Sequence, residues 1–164
     1  NSNNSNIISF LSRTVEDNNN SIDISHLNTS NNKKDTNITS IFTDISNYGA
    51  HNITNNMYTS ENPFTIPYSG LYYFFANINW DLINFNLSGE IYVSIAPDIS
   101  GHTPSKYLNS FYNNNDIYQN SLNISVNGVL YCEKGWEMSV FAGHKNKYPK
   151  IFSISQTYWG GYKL

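Results

Sequence analysis

In several places in the second half of the chain the apolar positions alternate with polar ones at a period of two, the spacing of half-buried strands rather than of amphipathic helices. In the segment GLYYFFANINW, Tyr72, Phe74, Ala76, Ile78 and Trp80 share one face, while Leu71, Tyr73, Phe75, Asn77 and Asn79 share the other. Both faces begin apolar. Such a strand needs cover on two sides, one from its own core and one from a neighbouring protomer. EIYVSIAP alternates Ile91, Val93 and Ile95 against Glu90, Tyr92 and Ser94 and stops at Pro97, which predicts a half-buried strand. ISVNGVLYCEKG places Ile124, Val126, Gly128, Leu130 and Cys132 on one side and ends in a charged, glycine-containing turn. WEMSVFAG follows at once, so the two segments are expected to form a hairpin. A terminal strand rich in aromatics, IFSISQTYWGGYKL, closes the chain.

The first 62 residues are mostly Asn, Ser and Thr, with apolar islands at 7–11, 21–24 and 38–45 that read as short strands between long polar loops. Many short strands with no helix between them indicate an all-β sandwich or jelly roll. At 164 residues the chain is the length of one domain, 1–164, with loop-rich opening strands over 1–62 and the denser core over 63–164.

Composition narrows the function. Aromatic residues make up 15%, enough for a β-rich core, whereas charged residues are only 13%, about half the usual share. A net charge of −3 and nine basic residues argue against a nucleic-acid partner, which would need a basic face. The polar surface is built instead from 28 Asn, 21 Ser and 10 Thr. Seven N-x-Ser/Thr sequons result, close to the roughly five that such a composition gives by chance, so they carry little about glycosylation. No run of eighteen apolar residues occurs and the chain does not begin with Met, which reads as a mature or excised domain without a membrane span.

Catalytic chemistry is not indicated. His26, His51, His102 and His144 lie singly in expected loops, and none has the spacing of a zinc ligand. The adjacent pair Glu16 and Asp17 sits in a polar loop and reads as a solvated surface. Asp98 and Asp116 lack the dense Asp/Asn pattern of a calcium loop, and no phosphate-binding glycine motif is present. Cys132, the single cysteine, cannot form an intrachain disulfide and reads as a buried thiol. No enzyme activity, cofactor or metal is therefore expected. The loop GHKNKYPK gathers His144, Lys145, Lys147 and Tyr148, and HTPSKY contributes Lys106 and Tyr107. Both are candidate contacts for an acidic partner or anionic glycan, though a solvated loop explains the same residues.

The segment NPFTIPYSGLYYFFANINW resembles the complement one-q (C-one-q) head and tumour necrosis factor (TNF) superfamily. Asn52, Phe64, Gly70, Tyr72 and Phe74 stand at the distances of the head signature, whereas Ser46, Met57 and Ala76 replace aromatic or large apolar residues. NGVLYCEKGWEMSVF is similar to the family's late hairpin, with Trp136 where Asp is usual, and SQTYWGGYKL to its last strand. The resemblance implies a jelly roll of about ten antiparallel strands assembled as a homotrimer. It puts Tyr73, Phe75 and Tyr158 at the three-fold axis and implies a secreted or extracellular head that binds a receptor, surface protein or glycan. Tyr72, Phe74, Trp80, Leu130 and Trp159 would form the protomer core. Two other functions fit the same fold: a cap and trimerisation domain of a collagen-like or filamentous stalk, and a carbohydrate-binding module.

Overall fold

A computed structural model describes residues 8–13, 22–23, 36–39, 42, 44–45, 63–81, 87–117, 121–144 and 153–164. Eleven strands occur among them: β1 (Ser9–Arg13), β2 (Ile22–Asp23), β3 (Thr36–Asn37), β4 (Asp44–Ile45), β5 (Phe64–Thr65), β6 (Gly70–Asp81), β7 (Leu87–Pro97), β8 (Leu108–Ile117), β9 (Ser121–Cys132), β10 (Glu137–His144) and β11 (Ser153–Lys163). The only helical element among the described residues that spans several residues is a 3-10 turn, Pro104–Lys106. Every pairing is antiparallel, and the strands divide into two sheets. Sheet A runs β4-β1-β11-β6-β9 with β2 also on β11, and sheet B runs β3-β10-β7-β8 with β5 also on β10. Neighbours in space are seldom neighbours in sequence, the mark of a jelly roll.

The core lies between the sheets because β6, β7, β9 and β10 turn their apolar alternate residues inward. Tyr72, Phe74, Ala76 and Ile78 of β6 are buried against Ile91, Val93 and Ile95 of β7 and Val140 of β10, all in one cluster. Aromatic rings bind the two layers: Phe10 of sheet A stacks on Phe64 of sheet B at 4.3 Å and meets the edge of Trp159 at 4.7 Å. Trp159 is fully buried, Leu130 packs on the core while partly exposed, and the side chain of Trp80 lies outside the described residues. Ile38 and Thr39 continue β3 into the core: Ile38 N–H donates to Val140 O, and Thr39 Oγ1 accepts from Val140 N–H at 2.9 Å. A side chain thus supplies the acceptor where the β3 ladder ends.

Two sequence expectations are corrected. The expected hairpin of 124–132 with 136–143 does not form: β9 pairs with β6 in sheet A, while β10 pairs with β7, β3 and β5 in sheet B. Glu133–Trp136 is a crossover between sheets. Gly135, at φ +92°, makes the sharp change of direction. Its N–H donates to Ile66 O, and Ile66 N–H donates to Trp136 O, so the segment beside β5 satisfies the turn. β7 is also not half-buried, because Tyr92, Ser94 and Ala96 are buried along with Ile91, Val93 and Ile95. Tyr92 lies across Gly143 of β10, where an added Cβ would fall 2.4 Å from the phenol oxygen.

Candidate recognition surface

The two outer faces of the sandwich differ. On sheet B, Tyr92, Ser94, Ala96, Ser139, Phe141 and Gly143 are buried although they point away from the core cluster, and among the described residues Phe111 on β8 is exposed on that side. On sheet A the outward residues of β6 face their β9 partners in register: Leu71 with Tyr131, Tyr73 with Val129, Phe75 with Asn127. β11 adds Tyr162 beside Tyr73 and Gly160 beside Phe75. The resulting patch is large and uncovered, with Leu71 and Val129 each 49% exposed, Tyr131 61%, Tyr158 41% and Tyr162 44%.

The patch is held in shape by its own rings. Tyr73 contacts Tyr162 at 5.4 Å and Phe75 at 6.2 Å, and Phe75 meets Tyr158 edge-on at 6.2 Å. Two adjacent glycines of β11 make this close packing possible. Phe75 covers Gly160 on the outside, where an added Cβ would lie 2.7 Å from its Cζ, and Phe74 covers Gly161 on the core side, 2.6 Å from its Cδ1. The half of the face towards Asp81 is polar instead, with Asn77 and Asn79 opposite Ser125 and Asn123, and Ser125 Oγ donates to Asn77 Oδ1 at 2.8 Å.

Of the sequence-predicted contact residues, Tyr73, Phe75 and Tyr158 are brought together on this face. Leu71, Val129, Tyr131 and Tyr162 complete it; the sequence places Leu71 on the same face without naming it as a contact, and the other three were missed. The signal for Leu71 was its position on the outward side of β6. Val129 and Tyr131 became visible only once the β6 and β9 register was known. His144 is the last residue of β10 and its side chain lies outside the described residues, as do Lys145, Lys147 and Tyr148.

Lys106 and Tyr107 sit at the end of the sandwich where β7 passes to β8. Lys106 is exposed on the 3-10 turn. His102 is not solitary, as the sequence suggested, because its Nδ1 is hydrogen-bonded to Tyr107 Oη and the two rings are nearly parallel, at 11°. Tyr107 in turn stands perpendicular to Trp136 from the crossover turn, at 6.3 Å. The neighbouring loop is tied to that turn by Lys134 N–H donating to Ser69 Oγ at 2.8 Å, and Tyr72 Oη donates to Tyr68 O.

Among the described residues no group of three His, Cys, Asp or Glu side chains is close enough to hold a metal ion. Asp98 accepts a hydrogen bond from Asn37 Nδ2 at 3.0 Å, and the side chain of Asp116 lies outside the described residues. Burial pushes the Cys132 thiol up to about 12, so it stays protonated and a poor nucleophile at neutral pH. No described helix is long and apolar enough to cross a membrane.

No protein-family model matches the chain, and no curated protein does. Solved structures do match. The globular domain of the zebrafish complement 1qA protein superposes with a TM-score of 0.55 at 17% identity, covering 96% of this chain and 97% of that one. The Eiger TNF of S. frugiperda superposes with a TM-score of 0.59 at 10% identity, covering 96% and 92%. The chain has a TNF/complement one-q-like fold. Within this TNF-like sandwich the exposed aromatic face belongs to the sheet built around β6 and β11, and the aromatic cluster of His102, Tyr107 and Trp136 lies at a loop end.

Proposed function

We propose that the chain is one globular domain, 1–164, that works outside the cell as a non-catalytic, homotrimeric recognition head. The observation that carries this reading is the aromatic face of sheet A. A monomer in water would leave Tyr158, Tyr162, Tyr131, Val129 and Leu71 wet on one side, whereas the outward residues of β7 and β10 on the opposite face are already buried and Phe111 of β8 is exposed there. A closed three-fold assembly buries this face equally in every copy and leaves no open end. The rings of this face are only partly exposed in the protomer, so covering them supplies about 1 kcal/mol for each, about half the value for a fully exposed large side chain.

Residues away from this face then remain available to a receptor, surface protein or glycan, and His144, Lys145, Lys147, Tyr148, Lys106 and Tyr107 are the candidate contacts. The low-charge amide surface equally suits a passive exterior cap on a stalk. That reading shares the trimer and differs in what precedes the domain in the gene: a Gly-x-y repeat supports it.

Light scattering on face variants tests the assembly. Phe75→Asp places three carboxylates near one another without partners and is expected to give monomer or no folded protein. Val129→Lys and Tyr131→Lys alter exposed positions that the protomer core does not use, so they are expected to give folded monomer. Intact assembly in both lysine variants would move the interface off this face.

A further inference from the structure

We propose that the corner formed by His102, Tyr107 and Trp136 is a saccharide subsite that holds a single pyranose ring. This rests on reading the chain as a recognition domain, but not on its oligomeric state, because all three residues belong to one protomer.

The geometry points to a sugar. The contact between His102 Nδ1 and Tyr107 Oη, 2.5 Å, is shorter than the roughly 3.5 Å at which two ring planes stack. Two nearly parallel rings this close at their edges lie side by side. Trp136 stands at 90° to Tyr107, with ring centroids 6.3 Å apart. A pyranose has a face of C–H groups that settles on the negative face of an aromatic ring, and hydroxyls around its edge that need polar partners. Flat rings meeting at a right angle offer the first. The second is available from Thr103, Ser105, Lys106, Glu133 and Lys134, all exposed beside the corner.

The surroundings also argue against a protein partner. Those flanking residues are polar and carry both charges. A stable protein interface needs about 1,000 Å² with an apolar centre, far more than this corner provides. No single sign of charge prevails that would select an ion.

The corner is also preformed. His102 N–H donates to Ile99 O, Tyr107 N–H to Pro104 O, Trp136 N–H to Glu133 O, and Trp136 O accepts from Ile66 N–H. The backbone at each ring is therefore fixed before any ligand arrives, which lowers the entropic cost of binding. Trp136 is also partly buried against the core, which restrains the indole.

The test uses the intact protein on a glycan array covering the common pyranoses, followed by titration of methyl glycosides monitored by amide and indole NMR. The expected result is retention of at least one glycan class, with shifts at the Trp136 indole and at residues 101–107. Tyr107→Ala and His102→Ala should each weaken that binding by about tenfold or more at an unchanged melting temperature. Absence of glycan retention above that of an unrelated domain overturns the proposal, as does binding that survives both substitutions. Sedimentation of the same samples separates the two readings. A trimer that ignores sugars defeats this inference alone, and a monomer that binds them defeats the assembly while supporting the subsite.

Discussion

Gly161→Ala is a one-carbon change that probes how the two layers of rings are seated on β11. The added Cβ would lie 2.6 Å from Phe74 Cδ1, 3.1 Å from Phe74 Cε1 and 2.6 Å from the backbone oxygen of Tyr73. Phe74 is fully buried and stacks with Tyr72 at 5.9 Å, so the ring has nowhere to go. The carbonyl belongs to the paired strand β6, so relief requires the β6 and β11 ladder itself to shift. Overpacking a core costs about 1–3 kcal/mol, and a fixed ring together with a backbone atom places this change at the upper end, about 3 kcal/mol. For a chain of this length that corresponds to roughly 6–12 °C in melting temperature. Gly135→Ala is the control: its φ of +92° disfavours a side chain, but nothing lies within 4 Å of the added carbon, so its cost should stay near 1 kcal/mol. Thermal and urea unfolding at one fixed protein concentration compare the two. A Gly161→Ala variant no less stable than Gly135→Ala would refute the seating of Phe74 on β11.

Further outcomes follow from the buried polar groups. Thr39→Val removes the acceptor of the Val140 N–H inside the core and should cost about 1–3 kcal/mol in urea unfolding, despite similar side-chain volume. Cys132 should resist a disulfide reagent at pH 8 in the native protein and react at once in denaturant. Its thiol keeps its proton in the folded chain up to about 12, whereas the ordinary value is 9.0. Its contribution to stability is therefore complete below pH 9 and is lost as the pH rises towards 12, and Cys132→Ala should flatten that part of the stability profile.

Strand periodicity made much of this fold legible. The two-faced apolar pattern of 71–80 located β6 and both sets of rings, because a period of two assigns every residue to a side once the strand is recognised. Periodicity does not say which strands pair. Cys132 and Met138 both point into the core, as they would in a hairpin, yet they come from opposite sheets, and only the ladder partners reveal it. The same limit hid the burial of the outward residues of β7, since Tyr92 and Ser94 have the polarity of solvent-facing residues and are buried all the same. At the surface, Tyr107 stood out through its lysine neighbour, while Trp136 became part of the same corner only when the crossover turn met the loop before β8.

The exposed aromatic face of sheet A leads most directly to a measurement of mass. Sedimentation equilibrium of the unmodified protein at micromolar concentration is predicted to fit a single species of three 18.7 kDa protomers. A single species of one protomer, with Tyr131 and Tyr158 left in water, would contradict the account.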